Sequence, residues 1–326
     1  MGTRKVNKLW LMPLLLVVFV AGCGRERGII PPTLTAITPN RGYQGQTLAV
    51  TLTGTGFSSG ATVNVNGAPI TVTNTTVASS TQITATFAIP GNATPGGANI
   101  SVTSAGTTTN AVGFTIAPTL SVTSTVPTNG ATGVPVNQQL SATFGEALNC
   151  ATVSATTFTV AGPGGTAVAG TVGCSGSTAT FTPTALLAPA ATYTATLTTG
   201  ITDTEGDPLG SNYGWSFATA PAPTVIATVP ANNATGVLVT QPISATFSQA
   251  MNCATITSTS FTVAGPSGTP VAGTISCAGS GATLTPSSNL AVNTVYTATI
   301  TTAVANTAGA HLAGNYAVSY THLRAH

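Results

Sequence analysis

The seventeen residues from Phe158 to Cys174 recur 103 positions later as Phe261 to Cys277, without a gap and with thirteen identities. The register holds well outside that segment. Val126-Pro127 maps to Val229-Pro230, Phe144 to Phe247, Tyr193 to Tyr296, and Asn212-Tyr213 to Asn315-Tyr316. A repeat near 100 residues is too long for a solenoid unit of about 20–50 residues. Short apolar runs with regular turn signals at that period predict β-sandwich modules in tandem. Residue usage agrees with this. The chain has 66 Thr, 36 Gly and 21 Pro; Thr and Val suit pleated strands, and Gly, Pro, Asn and Ser suit turns. Disorder requires low hydrophobicity and high charge, whereas here 42% of residues are hydrophobic and 4% charged.

Within the first copy, Thr119 to Val126 opens the module and Pro127 to Gly130 is a turn. Strands are expected at Gln139–Phe144, Phe158–Val160 and Ala167–Cys174. Ser177–Phe181 is expected to pair with Tyr193–Leu197, and Trp215-Ser-Phe217 to close the sandwich. Pro221-Ala222-Pro223 reads as a short, stiff linker into the second copy. Beyond Cys23 four cysteines remain, Cys150, Cys174, Cys253 and Cys277, which allow three pairings. The repeat selects Cys150 with Cys174 and Cys253 with Cys277, because each copy then holds one bridge at the same spacing. A metal site is the alternative, and it lacks paired His or acidic ligands beside the thiols.

The segments "VPTNGATGVPVN", "LSATFGEALN" and "WSFAT" resemble the bacterial Ig-like domain of the S-layer-protein type, over 119–220 and again over 224–317. "ITPNRGYQGQTLAVTLTGTGF" followed by "ATVNVNGAPI" resembles the IPT/TIG variety of Ig-like domain, over 33–117. The resemblance implies an all-β chain of three Ig-like sandwiches, with modules of a kind used as spacers or display units at cell surfaces. The tail "VSYTHLRAH" departs from the repeat and resembles translated sequencing-adaptor read-through. On that reading the second copy is truncated at 317, and residues 318–326 are foreign to it.

At the front, Arg4, Lys5 and Lys8 precede an apolar stretch from Leu9 to Val20 that is broken only by Pro13. That stretch suits a signal peptide and falls short of the roughly 20 residues a membrane-spanning helix needs. Val20-Ala21-Gly22-Cys23 resembles the lipobox of bacterial lipoproteins. The resemblance implies removal of residues 1–22, lipidation of Cys23, and residues 23–32 as a lipidated linker. By resemblance to Gram-negative lipoproteins, Gly24 in place of Asp implies the outer membrane. Several acyl chains hold far more firmly than one, at about 0.8 kcal/mol per buried methylene. An ordinary cleaved signal with Cys23 as bystander is the plainer alternative.

Charge excludes one class of partner. No Lys or Arg occurs between Arg41 and Arg324, so there is nothing to neutralise a phosphate backbone and nucleic-acid binding is excluded. Catalytic groups are scarce. The histidines are His311, His322 and His326, of which His311 matches Pro208 of the first copy and reads as a solvated loop residue. That is too few for a Ser-His-Asp arrangement or a His metal site. Asp203, Glu205 and Asp207 in "TDTEGDPLG" form a weak Ca2+ candidate. Asn306, Ala308 and Ala310 replace them in the second copy, and a solvated turn is the simpler reading. Nothing marks an acid and nucleophile flanking a cleft for glycoside hydrolysis. Tyr43 and Tyr213 are weak candidates for a glycan platform, while Tyr193 and Tyr296 read as core or corner residues. The sequence therefore predicts a non-catalytic surface lipoprotein without a cofactor, held to the membrane through Cys23. Its modules act as a spacer or stalk. The alternatives are an adhesin binding a cell-surface or glycan partner through sandwich loops, and the stalk of a larger ice-binding-like protein or enzyme.

Overall fold

The computed structural model describes residues 31–323 and divides into two compact units, one ending at Ala117 and the other beginning at Pro118. The signal segment, Cys23 and the last three residues lie outside the described residues.

In the first unit, one sheet runs Thr33–Thr38, Thr47–Thr55, Gln82–Ala88, Thr71–Ser79. The other runs Arg41–Tyr43, Val112–Ala117, Gly96–Ser104, Thr62–Asn66, with Thr107–Thr108 beside Gly96–Ser104. Alternation along Gln82–Ala88 sends Ile83, Ala85 and Phe87 inward, as period-two patterning requires of a half-buried strand. Phe87 meets Phe114 edge to face across the core at 5.4 Å. The Gly-x-Gly-Phe ending has a steric cause: a Cβ on Gly54 would lie 2.0 Å from the Thr33 carbonyl oxygen. Gly56 takes φ +72°, a conformation that costs glycine little, and Phe57 is then buried.

The second unit holds both copies of the repeat. In the first copy, one sheet is Val122–Val126, Leu140–Phe144, Thr178–Pro183, Gly170–Ser175. The facing sheet is Ala131–Val134, Tyr213–Thr219, Thr192–Leu197, Phe158–Ala161. The second copy repeats both orders with Val225–Val229, Ile243–Phe247, Gly281–Pro286, Gly273–Ala278 and with Ala234–Val237, Tyr316–His322, Val295–Ile300, Phe261–Ala264. Each copy has its own core, the first around Phe158, Phe181, Trp215 and Phe217 and the second around Phe247, Phe261, Tyr296 and Tyr320. The tyrosine pair is structural in both copies: Tyr193 Oη accepts from the Ala188 N–H at 2.8 Å, and Tyr296 Oη from the Ala291 N–H at 3.0 Å.

One sequence expectation is corrected here. Thr178–Pro183 and Thr192–Leu197 do not pair; they lie in opposite sheets. The connection between them crosses the sandwich, and on the way Leu187 is buried and donates its N–H to the Val136 carbonyl. Ala131–Val134, to which the sequence reading assigns no element, is a strand that pairs in parallel with Tyr213–Thr219. Its four residues and Gly133 at φ +66° leave no alternation to read. In the second copy the strand pairing runs past 317. Tyr316–His322 is its closing strand, paired with Val295–Ile300 through Tyr320 opposite Tyr296.

The joint between the copies is tied at several points. Val136 N–H donates to the Ala308 carbonyl at 3.0 Å. Ala310 of the second copy is 2% exposed and belongs to the first copy's core. Asn306 Nδ2 and Gln249 Nε2 each donate to the Pro221 carbonyl at 3.2 Å.

Candidate functional site

Cys150 is bonded to Cys174 and Cys253 to Cys277, one bridge within each copy. Both bridges have the same local design. Cys150 opens a 3-10 turn, Cys150–Thr152, capped by Asn149, whose side chain accepts from the Ala151 N–H. Asn252 does the same for Cys253–Thr255 through the Ala254 N–H. An N-cap of this kind satisfies an otherwise orphaned donor. The partner cysteine lies in the edge strand Gly170–Ser175 or Gly273–Ala278. Each bridge pins an edge strand to the turn before Phe158 or Phe261, and nothing reactive remains of the four thiols.

Polar chemistry gathers at one corner of the first copy. Asp203 is 1% exposed and Asp207 is 3% exposed, which corrects the reading of this loop as a solvated turn; Glu205 alone of the three is exposed. Asp203 Oδ1 accepts from the Glu205 N–H at 2.8 Å and from the Asp207 N–H at 2.9 Å. A carboxylate used this way builds the turn. Asp203 Oδ2 is buried with no hydrogen-bond partner. The Glu146 side chain reaches Asp203, and this contact, more than burial or the charges of Asp203, Asp207 and Glu205, holds the Glu146 carboxyl above its ordinary range.

The second copy solves the same corner with amides. Asn306 Oδ1 accepts from the Ala308 N–H at 3.0 Å and the Ala310 N–H at 2.9 Å, repeating the Asp203 turn. Asn306 Nδ2 donates to Gln249 Oε1 at 2.7 Å. Gln249 occupies the position of Glu146, 103 residues on. Sequence reasoning singled out Asp203, Glu205 and Asp207 and passed over Glu146. The signal available was paired exchange: Glu146 and Asp203 both become amides in the other copy.

The remaining candidates take structural positions. Tyr43 is half-buried, and Tyr213 lies 6.1 Å from Trp215 on the flank of the first core. Among the described residues every Phe, Tyr and Trp is buried or half-buried. His311 is exposed, with Nδ1 3.0 Å from the Thr302 carbonyl oxygen. His322 is buried in the closing strand, and its Nδ1 lies 3.2 Å from the carbonyl oxygens of Val237 and Leu238. Among the described residues no three His, Cys, Asp or Glu side chains gather as a metal-ligand set. No helix among them is long and apolar enough to cross a membrane.

The family models match in the same order as the modules. The Bacterial Ig-like domain matches residues 115–219 and 220–322. The IPT/TIG domain matches residues 32–116. No curated protein matches the chain. Similar solved structures include CopC from Methylosinus trichosporium OB3b, at 13% identity over 31% of this chain and 94% of that one, TM-score 0.27. The N-terminal part of the bacterial S-layer protein SbsC is 18% identical over 62% of this chain and 44% of that one, TM-score 0.27. Immunoglobulin domains 1–5 of Sidekick-1 are 12% identical over 90% of this chain and 59% of that one, TM-score 0.37. No role of these proteins transfers to this chain at such likeness.

Proposed function

We propose that this chain, which belongs to the bacterial Ig-like family and carries an IPT/TIG module ahead of its two Ig-like copies, is a non-catalytic lipoprotein of the cell envelope whose modules act as a spacer. The lipid on Cys23 is the anchor in this reading, and the outer membrane is its site. The observation that carries it is the closed joint between the copies. A flexible string of modules needs no contacts between neighbours, yet Ala310 is buried in the first copy's core and the Pro221 carbonyl is held by two amides. A joint fixed at main-chain level transmits orientation as well as distance, and that is useful in a rod. The within-copy disulfides suit an oxidising compartment. Among the described residues every Phe, Tyr and Trp is buried or half-buried, and no Lys or Arg lies between Arg41 and Arg324, so the surface offers neither aromatic platforms nor a cationic patch. That suits an inert stalk better than an aromatic glycan platform.

Labelling with a fatty-acid precursor in a Gram-negative host tests the anchor. Wild type should take up label and sediment with outer membrane, and Cys23→Ala should do neither; an unlabelled wild type overturns the anchor. Small-angle scattering of the full chain with Ala310→Glu tests the rod. The variant should widen the distribution of dimensions by opening the joint, and identical profiles overturn the spacer role.

A further inference from the structure

We propose that the first copy carries a Ca2+ site whose side-chain ligands are Asp203 Oδ2 and the Glu146 carboxylate. Four acids fall in the described span, Glu146, Asp203, Glu205 and Asp207, and all four are near enough for the other three to raise the Glu146 pKa. The inference rests on two of them. Asp203 is 1% exposed, its Oδ1 is committed to two N–H groups, and its Oδ2 is buried without a partner. An ionised oxygen left so is costly unless it meets a positive charge or a donor.

The second copy shows what the corner needs. There the atom in the place of Asp203 Oδ2 is Asn306 Nδ2, which donates to Gln249 Oε1 at 2.7 Å and to the Pro221 carbonyl at 3.2 Å. Gln249 Nε2 donates to Pro221 as well, at 3.2 Å. Changing both amides to carboxylates, as the first copy does, removes every one of those donors and leaves only oxygens facing one another. Pro118 is the counterpart of Pro221, and by that correspondence its carbonyl would supply a third protein oxygen. A cation replaces the lost N–H groups. Two carboxylates and a main-chain carbonyl are hard donors with no nitrogen or sulfur, which selects Ca2+ over zinc or copper, and water completes its shell of about 6–8 oxygens.

The test titrates CaCl2 into the full chain after EDTA treatment, by calorimetry and by thermal unfolding. One Ca2+ per chain is expected at a Kd of about 10⁻⁴–10⁻³ M, the range of extracellular modules. Saturation should raise the melting point of the first copy by a few degrees, on the order of 2–5 °C. Glu146→Gln with Asp203→Asn installs the amide pair that already folds in the second copy, and it should abolish binding. Gln249→Glu with Asn306→Asp should create a second equivalent of binding. Absence of heat and of a melting shift up to about 10 mM Ca2+, ten times the weak end of that range, overturns the proposal. Binding that survives the first double variant overturns it equally. A chain indifferent to Ca2+ and stabilised only by acid would show that a shared proton holds the pair, and that too overturns it.

Discussion

The two copies of the repeat share a skeleton and differ at two places, the corner and the closing strand. Strand order, the capped cysteine turn, the disulfide and the tyrosine hydroxyl bond are duplicated. In the closing strand Trp215 and Phe217 of the first copy become Val318 and Tyr320. Trp215 packs 5.8 Å from Phe158. Where Val318 replaces it, a cavity of about 10 Å³ remains, lined by Ile243, Phe261, Ile300 and Val318 among others. Tyr320 keeps the ring stack on Tyr296, but its hydroxyl is buried without a partner, as is His322 Nε2. Burial, and secondarily Tyr296, pushes the Tyr320 phenol well above its ordinary pKa. In the first copy the same two positions are Phe217, with no polar atom, and Thr219, whose hydroxyl donates to the Ala188 carbonyl and accepts from the Ala191 N–H. The lesson is that the repeat conserves whatever fixes the backbone, while side-chain satisfaction is solved anew in each copy. The closing strand of the second copy is built from the residues that depart from the repeat, and it pairs like its counterpart while packing less completely.

The largest effect should come from the core. Trp215→Ala removes the biggest buried side chain of the first copy and should cost about 3–5 kcal/mol. Val318→Ala in the second copy should cost only about 1.5 kcal/mol, two methylene equivalents. Chemical denaturation followed by hydrogen exchange of each copy's strands measures both, and equal losses would break the contrast. Next come the disulfides. Cys150→Ser with Cys174→Ser, and separately Cys253→Ser with Cys277→Ser, should each lower stability by about 3 kcal/mol on the chain-entropy model. Closely matched losses would sharpen the claim that the skeleton is duplicated, and a twofold disparity would undo it. Tyr320→Phe should stabilise the second copy by about 1 kcal/mol, because it deletes an unpaired buried hydroxyl and restores the residue type of Phe217. A destabilised variant would mean that the hydroxyl has a partner in solution.

The smallest effect is that of pH on the acidic corner. Glu146 is held above its ordinary pKa by Asp203, then by burial, Asp207 and Glu205. A carboxyl raised in the folded state binds its proton more tightly there, so it contributes stability below its unfolded pKa and loses it as pH climbs through the folded one. In EDTA, the first copy should therefore gain stability relative to Glu146→Gln as pH falls from neutral towards 4. Thermal unfolding at a series of pH values reads the gap. A gap that widens towards acid in favour of Glu146→Gln would reverse the sign and refute the contact with Asp203. Solvent screens this exposed carboxyl, so the gap stays modest.

Much of the architecture was legible because duplication turns one chain into two readings of the same module. The 103-residue offset identified the sandwiches and assigned the cysteines within copies, since a bridge that recurs at one spacing is a local property of the repeat. Period-two alternation located strands such as Leu140–Phe144 and Tyr213–Thr219 to within a few residues. The acidic candidates were legible as residues and misread as solvated, because composition records that Asp203 is an acid and not that a turn closes over it.

What the sequence determined by itself was therefore what local period and the repeat carry: the all-β class, the two copies and the strands with a clear alternating face, with the IPT/TIG module read from its resemblance. The tertiary structure alone decided partnership. Thr178–Pro183 and Thr192–Leu197 are neighbours in sequence and part into opposite sheets. Ala131–Val134 becomes a strand only because Tyr213–Thr219 arrives beside it, and Glu146 meets Asp203 only when Leu148 bridges to the Asp203 backbone. Sheet pairing and burial are set by which distant segments satisfy each other's backbone groups, and no local pattern encodes that choice.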